Sequence, residues 1–138
     1  MPRAVLDPNV LVSALISPAG ASAQLLIELR AGAFELIASP LLLAELDDVL
    51  GRQTFRRYAT EAEVEGYIEV LRHECILIDD PEPPNEPLGE DPGDEYLITL
   101  ARAARVDALV SGDRHLIQLR TKIPVLTPRE FLESLGKL

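Results

Sequence analysis

Four carboxylates carry the chemical interest of this sequence: Asp7, Glu45, Asp94 and Asp113. Asp7 ends the apolar run Ala4-Val5-Leu6 and is followed by Pro8-Asn9 and a second apolar run, Val10 to Ile16. A short continuous apolar run is how a buried strand of a parallel sheet reads. The carboxyl end of such a strand opens into the crevice where ligands bind. Asp-Pro-Asn also suits a plain turn, so Asp7 alone decides nothing. Asp113 repeats the pattern, since Ala108-Leu109-Val110 leads through Ser111-Gly112 to the acid. All carboxyl ends of a parallel sheet share one edge, so Asp7 and Asp113 meet if their strands are neighbours. Asp94 falls in the first turn of an expected helix, where the positive end of the helix dipole favours an acid. That preference is also its purely structural explanation. Glu45 falls, at about 100° per residue, within an arc formed by Leu41, Leu42, Leu46, Val49 and Leu50, with Asp47 and Asp48 pointing outward. A carboxylate on the core side of a helix needs a partner, because burying an unpaired charge is expensive. A salt-bridged or snorkelling glutamate at the core margin is the alternative.

Brought to one sheet edge, four such acids repel and raise one another's pKa values. A divalent cation relieves that repulsion, and oxygen-only ligation selects Mg2+ or Mn2+ over zinc. An ion held this way suits phosphoryl chemistry, because it activates water, orients a phosphate and stabilises a leaving oxygen.

The elements that must position these acids alternate along the chain. After the first strand, Ala21 to Ala31 has helical spacing at Leu25, Leu26 and Leu29, with Gly32 as its stop. Phe34 to Ala38 reads as a strand. Ser39-Pro40 caps and starts a helix to about Leu50. Thr60 with Glu63 forms a capping box for a helix to about Arg72, apolar at Val64, Tyr67, Ile68 and Leu71. Glu74 to Ile78 reads as a third strand, and Asp79 to Pro92 as a Pro- and acid-rich connection. Gly93-Asp94 opens a helix to about Ala104, and Asp107 to Ser111 is a fourth strand. A short helix through Leu119, a fifth strand from Ile123 to Leu126 and a last helix from Thr127-Pro128 complete the chain. Such alternation predicts an α/β fold with a parallel sheet and helices on both faces, in one domain spanning residues 1–138.

Bulk properties narrow the classes. A 47% hydrophobic content fits a globular chain. No apolar stretch approaches the roughly 20 residues that span a membrane, and the N-terminus lacks a signal-peptide pattern, so we expect a cytoplasmic protein without a membrane partner. A single cysteine, Cys75, excludes an internal disulfide and a cysteine-based zinc site; within Cys75-Ile76-Leu77-Ile78 it reads as a small core residue. His73 and His115 lack paired ligand spacing and read as surface or helix-end residues. The net charge of −10 argues against broad nucleic-acid affinity. Acid concentrates between Glu74 and Ala101, which contain no Lys or Arg. Arg52, Arg56 and Arg57 cluster instead, with Arg102, Arg105, Arg114, Arg120 and Lys122 as a looser group.

The motifs together resemble the PIN domain family. Asp7-Pro8-Asn9-Val10 is similar to its opening Asp-Thr-Asn-Val, and Ser39-Pro40 with Ala44-Glu45-Leu46 to its acidic helix. Asp91-Pro92-Gly93-Asp94-Glu95-Tyr96-Leu97 resembles its third acidic motif, and Val110-Ser111-Gly112-Asp113 with Leu116 its fourth. Leu126-Thr127-Pro128-Arg129-Glu130-Phe131-Leu132 is similar to its usual tail. The likeness covers nearly the whole chain. It implies a three-layer α/β/α fold whose five parallel strands, numbered along the chain, lie in the order 3-2-1-4-5. It also implies a metal-dependent ribonuclease similar to the VapC toxins of toxin–antitoxin pairs. Asp7, Glu45, Asp94 and Asp113 would be the catalytic ligands of Mg2+ or Mn2+, with Asn9, Asp91 and Ser111 in support. RNA would be gripped by Arg52, Arg56, Arg57 or Arg114, and the expected partners are an RNA substrate, a cognate antitoxin and a second copy of the chain. Exposed Leu41 or Leu43 would serve the antitoxin or the dimer. One departure stands out: Pro8 replaces the family's Thr and removes a hydroxyl and a backbone N–H.

Two other functions compete. Asp-x-Asn-x-Val is near the motif of haloacid-dehalogenase-like phosphatases, with Asp7 as nucleophile. Asn9 there lacks an acid's proton, and the only lysines, Lys122 and Lys137, both follow Asp113. A non-catalytic, PIN-like interaction protein is the other reading, motivated by the acidic surface and by Pro8.

Overall fold

Five short strands pair into one wholly parallel sheet: β1 (Arg3–Leu6), β2 (Glu35–Ala38), β3 (Cys75–Leu77), β4 (Ala108–Val110) and β5 (Val125–Leu126), in the order β3-β2-β1-β4-β5. The expected order is thus observed. Residues 1–88 and 92–137 are described in this computed structural model. β1 is central: Ala4 lies beside Leu36 of β2 and Ala108 of β4, and Leu6 lies beside Val110. Ala4, Val5, Leu6, Ala108, Leu109 and Val110 are all fully buried, as strands covered on both faces must be.

Among the described residues seven α-helices flank the sheet: α1 (Pro8–Ile16), α2 (Ala21–Arg30), α3 (Pro40–Leu50), α4 (Glu61–Glu74), α5 (Glu95–Ala103), α6 (Arg114–Ile117) and α7 (Pro128–Ser134). The second apolar run of the sequence is α1. Asp7 caps it by accepting the Asn9 N–H at 2.9 Å, and Pro8 takes the first helical position, where its missing N–H leaves nothing unpaired. Ser39 caps α3 through the Leu42 N–H, and complete capping boxes, Thr60 with Glu63 and Thr127 with Glu130, open α4 and α7. α1 packs on α2 and α3, α5 lies against β1 and β4, and α7 against α2, β4 and β5. Tyr67 of α4 donates to the Leu11 carbonyl of α1 at 2.6 Å. Among the described residues no single helix is long and apolar enough to cross a membrane.

Several expectations need correction. β3 forms where a third strand is expected, over a shorter span, but Cys75, read as a core residue, is only partly buried, and Ile76 and Leu77 are exposed. β3 is the sheet's edge, so its run of apolar residues lacks the cover that a central strand receives. Leu43 is buried, at 2% exposure, and is unavailable to a partner, whereas Leu41 is 52% exposed. The Arg52-to-Thr60 link contains a 3-10 turn at Gln53–Phe55, and another, Pro92–Asp94, precedes α5.

Candidate active site

Asp7 and Asp113 follow neighbouring parallel strands, and one hydroxyl joins them. The ladder continues past β1 when the Asp7 N–H donates to the Val110 carbonyl at 2.9 Å, and past β4 when the Ser111 N–H donates to Leu126 at 2.9 Å. Ser111, fully buried, donates its Oγ hydrogen to Asp7 Oδ2 at 2.8 Å. The same oxygen accepts the Asp113 N–H at 2.9 Å. Asp113 then caps α6 by accepting the His115 N–H at 2.8 Å. Asp7 is 4% exposed. Burial pushes its pKa above the ordinary carboxylate value; the bonds from Asn9 and Ser111 oppose the rise and the nearby Asp113 charge adds to it.

Glu45 reaches the same region from α3, but not as a core-facing residue. The buried positions of α3 are Leu42, Leu43, Leu46 and Leu50. Including Leu43 rotates the apolar arc, so Glu45 lies roughly 115° from its centre, at about 100° per residue, and is exposed. Its pKa is nonetheless raised, first by partial desolvation and then by the Asp7 charge. Tyr96 and Arg52 hold it down, and Asp48 adds a further small rise. Asp94 ends the 3-10 turn ahead of α5, half-buried, and its side chain does not cap that helix. It keeps its place at the helix start, where the dipole favours an acid, so that structural explanation stands beside the functional one. Asp91 lies outside the described residues.

Sequence reasoning missed two groups. The Tyr96 hydroxyl, in the first turn of α5, is buried without a hydrogen-bond partner. Burial, followed by the charges of Glu45 and Asp7, a partial hydrogen-bonding contact with Glu45 and the Asp80 charge, pushes its pKa far above the usual phenol range. It faces Glu45 without completing a hydrogen bond to it. Asp80, read as part of a solvated acidic run, accepts the Leu41 N–H of α3 through Oδ2 at 3.0 Å, and its Oδ1 is buried and unpartnered. The rule that singled out Asp7 and Asp113 would have found it, because Asp80 also follows a strand at the sheet's carboxyl edge.

The arginines divide by role. Arg52 pairs with Asp48 at 3.7 Å on the surface, Arg57 lies 5.0 Å over the Tyr58 ring, and the Arg56 guanidinium binds the Leu50 carbonyl at the end of α3. Arg114, exposed, directly follows Asp113. His73 and His115 are exposed.

The donor set, hard carboxylate oxygens around a buried, charge-stressed Asp7, fits Mg2+ or Mn2+ in chemistry. Among the described residues no three His, Cys, Asp or Glu groups are close enough to share one ion. Mg2+ is commonly held by one or two carboxylates with waters and substrate phosphate completing its shell, so two acids such as Asp7 and Asp113 are enough in number.

A family model for the PIN domain matches residues 3–115. A chain from the crystal structure of VapBC2 from Rickettsia felis bound to a DNA fragment from their promoter is similar in fold. Its TM-score is 0.59 at 18% identity, over 91% of this chain and 98% of that one. No match was found among curated proteins.

Proposed function

The chain belongs to the PIN domain family, and from that premise we propose that it is a Mg2+- or Mn2+-dependent endoribonuclease, the toxin of a toxin–antitoxin pair. One observation carries this reading: the Ser111 hydroxyl binding Asp7 while accepting the Asp113 N–H, at the carboxyl edge of two neighbouring strands. A buried carboxylate whose pKa is raised by burial and by a second acid is a charge awaiting a cation. Asp7 and Asp113 would hold the ion, with Glu45 and Asp94 as the further acids of the site. The ion would supply Lewis acidity and lower the pKa of a water. Glu45, exposed and with its affinity for protons raised, accepts the proton that the attacking water loses. The water oxygen bonds to phosphorus, the P–O bond to the leaving ribose breaks, and a proton ends on the leaving oxygen. Asn9 and Ser111 orient the acids, and Arg114 is the cation nearest the pair along the chain. Family membership favours this reading over the phosphatase alternative.

An antitoxin and a second copy of the chain are the partners this reading brings with it. The antitoxin is supported by the similarity to a VapBC2 chain, and exposed Leu41 is available to either. The test is RNA cleavage with and without divalent metal by the wild type, Asp7→Asn and Asp113→Asn. We expect metal-dependent cleavage in the wild type alone, and equal activity in all three overturns the assignment. One observation favours a second reading, a non-catalytic interaction protein: no three carboxylates among the described residues are close enough to share an ion. Calorimetric titration with Mn2+ separates the two, since absence of binding supports the second.

A further inference from the structure

Beside the acid pair lies an open groove of about 410 Å3, lined by Asn9 and Ser13 of α1, Ser22 of α2, Gly112 and Asp113, and Pro128 of α7. Its size falls within the range of small-ligand sites. In a chain of net charge −10 its lining is unusual, because among the described residues Asp113 is the only ionisable group that lines it. No arginine or lysine among the described residues lines it, and a phosphate site is built on cations. It presents instead an amide and two hydroxyls. The Asn9 backbone N–H is bound to Asp7, but the side chains of Asn9, Ser13 and Ser22 make no hydrogen bond among the described residues. Hydroxyls and amides both donate and accept, so they match the mixed edge of a nucleobase, and Pro128 offers an apolar surface. A base reaches such a groove only when it is unstacked, as in single-stranded RNA.

We propose that this groove receives the nucleobase adjoining the scissile phosphate of single-stranded RNA, and that Asn9, Ser13 and Ser22 determine which base is accepted. The proposal rests on the ribonuclease reading and names the substrate contact that reading lacks. The phosphate then lies toward Asp7 and Asp113, where the cation compensates its charge, and the rest of the groove, which is uncharged, takes the base without adding repulsion. Gly112 fits this arrangement. A Cβ placed there meets nothing within 4 Å, so the position lends the groove open space and tolerates a side chain.

The test compares two substrates and two variants. Wild type, Gly112→Leu and the double variant Ser13→Ala/Ser22→Ala are assayed on a random-sequence single-stranded RNA pool and on bis(p-nitrophenyl) phosphate, a diester without a base. For Gly112→Leu, kcat/KM on RNA falls at least tenfold more than on the diester. The double variant changes the nucleotide preference at the cleavage position. A constant RNA-to-diester ratio in Gly112→Leu, together with an unaltered preference in the double variant, overturns the groove. Separately, the wild type in EDTA is titrated with the four ribonucleoside monophosphates and followed by amide NMR shifts. Shifts centred on Asn9, Ser13 and Ser22, with one base favoured, support the groove, and their absence at millimolar nucleotide overturns it. A wild type inert on both substrates removes the nuclease reading, while the titration still decides the groove.

Discussion

Asp7 has three duties at once: it ends β1, caps α1 and binds Ser111. The first two need only an acceptor, and asparagine caps helices as well as aspartate does. The charge is therefore the part that folding does not need. Because burial raises the folded-state pKa, the native chain holds its proton more tightly than the unfolded chain. In metal-free protein, stability is then fully present below the ordinary carboxylate value, near pH 4, and is lost as pH rises through the raised native value. Asp7→Asn should raise the thermal midpoint of metal-free protein at neutral pH, and the advantage should vanish toward pH 4. A difference that stays constant across that range would mean the charge is not the cause. Tyr96 supports a companion prediction. Its hydroxyl is buried and unpartnered, and removing such a group is neutral or stabilising. Tyr96→Phe should keep or raise the unfolding free energy in urea, by up to about 1 kcal/mol, while lowering RNA cleavage, on the proposed ribonuclease reading, if the hydroxyl steers Glu45. A clear loss of stability would show that the hydroxyl has a partner after all.

At the scale of elements, what is legible depends on whether the signal is local. Ser39, Thr60 and Thr127 each announce a helix start because a cap is satisfied within three residues, and all three helices begin there. The face of α3 is not local. Leu41 and Leu43 are the same residue type, and only the packing of α3 on α1 and α4 buries the second and exposes the first. That choice moved Glu45 from the core side to the rim. The core reading of Cys75 fails for the same kind of reason, since its apolar run does not show how little covers the strand that carries it. Asp80 was legible as an acid following a strand, but its contact with Leu41, 39 residues away along the chain, was not. The four-acid pattern was readable through the resemblance, whereas the Ser111 hydroxyl between two acids is a tertiary fact. The cap of α3 offers a direct test. Ser39 is fully buried and accepts the Leu42 N–H at 3.3 Å, so Ser39→Ala should cost about 1–2 kcal/mol in urea unfolding. On the proposed ribonuclease reading it should also lower RNA cleavage, because α3 carries Glu45. A loss below about 0.5 kcal/mol would assign the helix start to packing alone.

Across the whole molecule the family match and the fold do not end together. The match stops at residue 115, yet β5 and α7 lie beyond it and complete the sheet that carries the acids. The Ser111 N–H, beside the acid pair, donates to Leu126 of β5. Phe131 of α7 is 1% exposed and packs edge-on against Phe34, with ring centroids 5.0 Å apart. Arg120 grips Glu130 through both guanidinium nitrogens, at 2.7 and 3.2 Å, and also donates to the Val125 carbonyl at 3.1 Å. α7 in turn packs on α2, which helps to wall the groove. Cutting the chain after residue 115 would uncover β4, fully buried in the complete protein, and leave Ser111 without its backbone acceptor. Domains of this size hold only about 5–15 kcal/mol in total, and losing one buried aromatic such as Phe131 to alanine costs about 3–5 kcal/mol. The 1–115 fragment should therefore show no cooperative urea transition by circular dichroism. Phe131→Ala in the full chain should fold with a midpoint lowered accordingly and should still bind Mn2+, because it touches no acid. A fragment that unfolds cooperatively and binds Mn2+ as the full chain does would show that the matched segment alone builds the site.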